Sequence, residues 1–239
     1  MKTFSTPALL IFLFVAAGTL HSQNIPLKSQ FSGKFSAEVK LGYLTYLPEH
    51  YDSSKEYPLI LFLHGSGERG NDVEKVRLQG LPKEIEKGRK LPAIVIAPQC
   101  PENQRWKTFE LAALLDYIES VYKVDKSAVY VTGLSMGGSG TWRFAAEFPD
   151  RVAAIIPMCA YAEPHAAYQI VGIPVWVFHG TADEVTPIDG SERMVKKLQE
   201  IGGNVKFTRY EGANHGIWER TYADDEIYKW LFAQRKNKK

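Results

Sequence analysis

Short, nearly continuous apolar runs recur through this chain and leave few folds open to it. They are Leu59–Leu63, Ala93–Ala97, Ala128–Thr132, Val152–Pro157 and Val175–Phe178. Strands buried on both faces of a parallel sheet read this way. Val205–Tyr210 and the earlier stretch Val39–Leu47 alternate more, as strands also do. Helical patterns lie between them. Phe109–Tyr122 spaces Leu111, Leu114, Leu115, Ile118 and Val121 along one helical face. Ser191–Ile201 does the same with Met194, Val195, Leu198 and Ile201, then stops at Gly202-Gly203. Asp225–Gln234 carries Ile227, Trp230 and Leu231. Strand and helix alternating along a whole chain predict an α/β doubly wound sheet. In such sheets the chemistry sits at the carboxyl ends of the strands.

The chain has 239 residues, 45% of them hydrophobic, enough for one large core. Lys and Arg number 29 against 27 Asp and Glu, a net charge of +2. That balance gives no electrostatic reason to expect nucleic acid as a partner. Residues 1–22 read as a secretory signal: Lys2 is the only charge before the apolar stretch Ala8–Ala17, and a polar exit follows. The stretch is too short for a spanning helix, so no stable membrane anchor is expected. The expected layout is a signal over 1–22 and one catalytic domain over 23–239, placed in the periplasm or outside the cell. Nothing in the sequence indicates an oligomeric state. Two cysteines, Cys100 and Cys159, are too few for a disulfide scaffold. No CxxC or Cys/His cluster suggests a metal, and none is expected.

The run Ala128–Thr132 leads into Gly133-Leu134-Ser135-Met136-Gly137-Gly138, a G-x-S-x-G turn between strand and helix. Its glycines permit a sharp bend that lifts the Ser135 hydroxyl out of the sheet at a helix N-terminus. There the backbone N–H of Met136 faces an oxygen that develops negative charge. A serine nucleophile needs a base and an acid to orient that base. They follow the serine in the order acid, then histidine. His179-Gly180-Thr181-Ala182-Asp183 closes the strand Val175–Phe178, and Glu211-Gly212-Ala213-Asn214-His215 closes Val205–Tyr210. His215 is the expected base and Asp183 the expected acid, with Glu184 and Asp189 as nearby alternatives. His64 and His179 also stand at strand ends, but neither follows the acid, so both read as loop-shaping hydrogen-bond residues.

Gly65-Ser66-Gly67-Glu68-Arg69-Gly70 matches G-x-G-x-x-G after a strand, with Glu84 and Glu86 downstream. Glu68, Asp72 and Glu74 would repel a pyrophosphate, so no cofactor is expected. The same loop suits an oxyanion site whose backbone N–H complements that of Met136. Ser66 is the first candidate donor and Gly67 the second.

These residues resemble the small secreted α/β-hydrolases of the phospholipase/carboxylesterase and prolyl-oligopeptidase-like type. The likeness runs through Tyr57–Gly70, Ala97–Pro101, Gly133–Gly138, Gly140-Thr141-Trp142, His179–Asp183 and His215-Gly216-Ile217-Trp218. Ala213 departs from the Gly of many relatives and Ser139 from their Tyr. The resemblance implies an α/β-hydrolase fold, a Ser135–Asp183–His215 triad and an oxyanion hole at Ser66 and Met136.

Lids in this fold are commonly inserted after the strand Val152–Pro157, where only Met158–Gly172 is available, so no cap domain is expected. An open site favours short or aromatic acyl groups on a bulky alcohol, such as a polysaccharide. Trp106, Trp218 and Tyr161 are candidate platforms for a sugar or aromatic ring, each also readable as loop packing. A Cys100–Cys159 bridge is weighed against two separate thiols. The expected activity is a serine carboxylic-ester hydrolase on a small-molecule or polysaccharide-linked ester. A serine peptidase and a non-catalytic carbohydrate-binding relative are the alternatives.

Overall fold

The computed structural model describes residues 38–236. The expected signal segment 1–22 lies outside the described residues. The strands are β1 (Tyr43–Tyr46), β2 (Tyr57–Leu63), β3 (Ile94–Pro98), β4 (Val124–Leu134), β5 (Ala154–Met158), β6 (Val175–Gly180) and β7 (Val205–Tyr210). They form one sheet in the order β1-β3-β2-β4-β5-β6-β7. Only β1 runs antiparallel to its neighbour, Tyr43 opposite Pro98 and Tyr46 opposite Val95. The other pairs are parallel.

The uninterrupted apolar runs follow from cover on both faces. Successive β2 side chains point to opposite sides. Leu59, Leu61 and Leu63 join the layer of α2 (Thr108–Val121), α3 (Met136–Glu147) and α5 (Asp189–Glu200), through residues such as Leu111, Ile118, Phe144 and Met194. Ile60 and Phe62 join the opposite layer with Leu81 of α1 (Gly80–Glu86), Tyr222 of α6 (Trp218–Ala223) and Leu231 of α7 (Asp225–Ala233). Burying each such side chain is worth about 1.5–3 kcal/mol, so a polar residue on either face of a central strand would be costly. β7 has a single sheet neighbour and is only partly buried, which fits its mixed pattern.

Two boundaries differ from the sequence expectation. β4 begins at Val124, ahead of the apolar run, and its pairing with β2 shifts register between Tyr57 and Leu59. The shift accommodates the polar Asp125-Lys126-Ser127. Val121, assigned to the buried stripe of α2, is exposed at the last turn.

The connection from β5 to β6 holds a 3-10 turn at Pro164–Ala166 and the one-turn helix α4 (Ala167–Ile170). It does not arch over the sheet as a separate cap. Of the two readings weighed for the cysteines, the structure has separate thiols. Cys100 follows β3 and Cys159 follows β5, with β2 and β4 between them, and both are buried free thiols.

Candidate active site

The turn after β4 is built by close approach. A Cβ on Gly137 would overlap the carbonyl oxygen of Leu63, and one on Gly133 would lie 2.6 Å from that same oxygen. A Cβ on Gly138 would sit 2.6 Å from the carbonyl oxygen of Met158. The missing side chains let α3 start directly against β2 and β5. Ser135 takes φ 53° and ψ −118°, a conformation rare outside glycine. Its N–H donates to the Met158 carbonyl at 2.9 Å, which ties the bend to β5. Such strain costs on the order of 1–3 kcal/mol and persists where surrounding structure enforces it.

Three side chains from three strand ends then meet. His215 Nε2 lies 2.9 Å from Ser135 Oγ, and its Nδ1 lies 2.7 Å from Asp183 Oδ2. A carboxylate only accepts, so Nδ1 carries the hydrogen and Nε2 keeps its lone pair for the serine hydroxyl. Asp183 is 6% exposed. Its Oδ1 accepts the N–H groups of Val185 at 2.9 Å and Thr186 at 2.8 Å. Burial alone would push this carboxyl up, but those N–H groups and His215 outweigh it and hold Asp183 below the ordinary carboxylate range. Glu184 is exposed, and Asp189 pairs with Arg193 at 2.6 Å, so Asp183 is the acid of the three that meets His215. The Trp218 ring stands edge-on to His215, centroids 5.4 Å apart, and its Nε1 donates to Gln79 Oε1.

The other strand-end histidines fasten loops. His64 Nε2 accepts from the N–H of Cys100 at 2.9 Å, so Nδ1 is the donor to the Gly65 carbonyl. Burial holds this imidazole down at about 4, uncharged at neutral pH. His179 Nε2 donates to the Thr186 carbonyl at 2.8 Å and lies 3.2 Å from Asp183 Oδ2, closing the acid loop. Cys159, His179 and Asp183 bring ligand-type atoms within 4.8 Å of one another. Asp183 already serves the donors named above, and burial pushes the Cys159 thiol up to about 12, far from a ligating thiolate.

A cleft of about 270 Å³ opens over Ser135. Met136 and Ser66 line it beside Ser135, as do Arg69 and Arg105. Ser139, Tyr161 and Thr186 form the remaining wall. Met136 is the first residue of α3, where N–H groups lack an intrahelical acceptor. Gly67 is exposed on the same loop as Ser66 but does not line the cleft. No α-helix opens under Gly70; a 3-10 segment at Val73–Leu78 follows, so the dinucleotide geometry is not built.

The aromatic candidates separate. Tyr161 lines the cleft and is 49% exposed, and its carbonyl accepts from Ser139 Oγ. Trp106 is corrected to a core role. It is 3% exposed, donates to the His64 carbonyl at 3.1 Å, and covers Gly140. Trp218 is half-buried against His215, with its Nε1 turned to Gln79. Arg69, Arg105 and Thr186 are cleft residues that sequence reasoning missed: Arg69 fills a variable position of the Gly65–Gly70 motif, and no motif covers the other two.

The family model described as the dienelactone hydrolase family matches residues 39–229. The chain belongs to the dienelactone hydrolase family. This family member is 30% identical over 174 residues to a probable feruloyl esterase C of Aspergillus terreus, covering 67% of this chain and 62% of that one. It is 27% identical over 229 residues to an uncharacterized secreted protein of Arthroderma benhamiae, covering 78% of this chain and 24% of that one. Among solved structures, a thermostable esterase superposes with a TM-score of 0.72 at 36% identity, covering 83% of this chain and 60% of that one. The chain therefore spans less than two thirds of the length of each of these relatives.

Proposed function

We propose that this dienelactone hydrolase family member is an exported serine carboxylic-ester hydrolase working through an acyl-enzyme. The observation that carries the reading is the continuous chain from Ser135 Oγ to His215 to Asp183, 2.9 Å and 2.7 Å long, at the mouth of a cleft. His215 Nε2 takes the Ser135 proton as Oγ attacks the ester carbonyl carbon. The negative oxygen of the tetrahedral intermediate faces the N–H groups of Met136 and Ser66. The bond to the alcohol then breaks, and the alcohol oxygen takes the proton from His215. Water next gives a proton to His215 and attacks the acyl carbon. Collapse of the second intermediate returns that proton to Ser135 and releases the acid. Asp183 stays ionised throughout and holds His215 in the required tautomer.

The substrate proposed is a short-chain or aromatic acyl ester of a bulky alcohol, including a polysaccharide. The small cleft and the short β5–β6 connection support it, as does the feruloyl esterase named among the relatives. Export is supported by the apolar segment Ala8–Ala17 and by the secreted relative.

The test is a panel of nitrophenyl acetate, butyrate and decanoate, methyl ferulate, acetylated xylan and a Pro-containing peptide amide. Short or aromatic esters are expected to react, and Ser135→Ala to lose the activity about 10⁴-fold or more with the fold intact. Activity confined to decanoate would contradict the open site, and activity confined to the amide would favour a peptidase.

A further inference from the structure

One oxygen of Asp183 faces two imidazoles. His215 Nδ1 lies 2.7 Å from Oδ2, and His179 Nε2 lies 3.2 Å from the same atom. His179 is fully buried at the end of β6. Its Nε2 also lies 2.8 Å from the Thr186 carbonyl. A carboxylate and a carbonyl only accept, so Nε2 carries a hydrogen and shares it between the two oxygens. Burial holds this imidazole below the ordinary histidine range, so it is neutral and Nδ1 keeps a lone pair. The buried Ser191 Oγ of α5 lies 2.8 Å from Nδ1 and 3.2 Å from the Ala160 carbonyl, and its single hydrogen serves the nearer Nδ1. The remaining titratable group at Asp183 is the Cys159 thiol after β5, which burial keeps uncharged.

Fastening loops does not account for this contact. The acid loop is already tied to the loop of His215 without it. The N–H of Ala182 donates to the Ala213 carbonyl at 2.9 Å, and that of Thr181 to the Tyr210 carbonyl at 3.0 Å. The N–H of Gly212 donates to Thr181 Oγ1 at 2.8 Å. What His179 adds is a donor aimed at the carboxylate oxygen that faces the base.

We propose that His179 is a positioning residue of the triad: it holds Asp183 Oδ2 in line with His215 Nδ1 and takes up part of the charge on that oxygen, while Ser191 keeps the His179 hydrogen on Nε2. This rests on the ester-hydrolase reading above and concerns how that site is tuned. The charge left on Oδ2 sets how strongly the imidazolium is favoured at His215. With the His179 donor gone, more of that charge faces His215 Nδ1. Turnover needs the neutral imidazole, so the acid limb of kcat/KM moves to higher pH. An Oδ2 held by fewer donors also aligns His215 less well, which lowers kcat rather than raising KM.

His179→Met and His179→Gln form the informative pair, because their side chains are similar in length and only the amide donates. On nitrophenyl acetate the acid limb of His179→Met is expected to rise by about half a pH unit or more, and kcat to fall about tenfold with KM changed less than about twofold. His179→Gln should keep the native limb and recover most of kcat. Nitrogen NMR of the native protein with labelled histidines reads the hydrogen directly, and the expected result is a neutral His179 protonated on Nε2. An unmoved limb in folded His179→Met, the same behaviour in both variants, or a hydrogen on Nδ1 alone would overturn the proposal while leaving the ester hydrolase standing. If His179→Met does not fold, Ser191→Ala replaces it; its limb should move the same way by a smaller amount, and an unmoved limb there overturns the proposal equally. A native protein that cleaves no ester would remove both readings together.

Discussion

Asp183→Asn is expected to lower kcat on nitrophenyl acetate about 10⁴-fold while moving the melting temperature little. An Asn oxygen can still accept from the N–H groups of Val185 and Thr186, so the loop after β6 keeps its shape. The changed atom is the one facing His215 Nδ1, now 2.7 Å from a carboxylate oxygen. An amide NH₂ there donates, so the imidazole must present a lone pair at Nδ1 and carry its hydrogen on Nε2. That nitrogen then cannot take the Ser135 proton. The negative charge that stabilises the imidazolium during attack is lost as well. Steady-state kinetics and a circular-dichroism melt measure the two halves of the expectation. A loss below about tenfold would mean that another acid supports His215.

Gly137→Ala is expected to cost about 3 kcal/mol or more, because the added methyl meets backbone rather than a side chain able to turn aside. Its Cβ would overlap the Leu63 carbonyl and reach the His64 carbonyl at 2.6 Å. Relief requires α3 to move away from the end of β2, and Ser135 moves with it. For a domain of this size the melting temperature should fall by roughly 6–12 °C. Gly67→Ala is the control, since nothing lies within 4 Å of its Cβ position. Its melting temperature should stay within about 1 °C, as for surface substitutions away from special features. Similar losses from both variants would remove steric close approach as the reason for the glycine in the elbow.

The parts of this structure legible in the sequence are those where one physical demand dominates. A strand covered on both faces needs apolar residues at every position, and β2, β3 and β6 show it. The bend at Ser135 needs glycines on both sides, so the motif and its fold context appear together. Chain order then points to His215 as base and to Asp183, Glu184 or Asp189 as acid, and the coordinates link Ser135 to His215 and His215 to Asp183. Features decided by the direction a loop residue faces are not legible. Trp106 and Arg105 are adjacent in sequence, yet the tryptophan turns inward to His64 and the arginine outward to the cleft. The sequence favours neither direction for the tryptophan and carries no signal for the arginine. Strand ends are also obscure where polar residues pair through a register shift, as at Asp125-Lys126-Ser127.

The central claim is that Ser135 is the nucleophile of an acyl-enzyme. Incubation with a fluorophosphonate, followed by intact-mass analysis and peptide mapping, tests it most directly. The expected result is one adduct per chain, located on Ser135 and absent from folded Ser135→Ala. An unlabelled native protein, or equal labelling of Ser135→Ala, would contradict it.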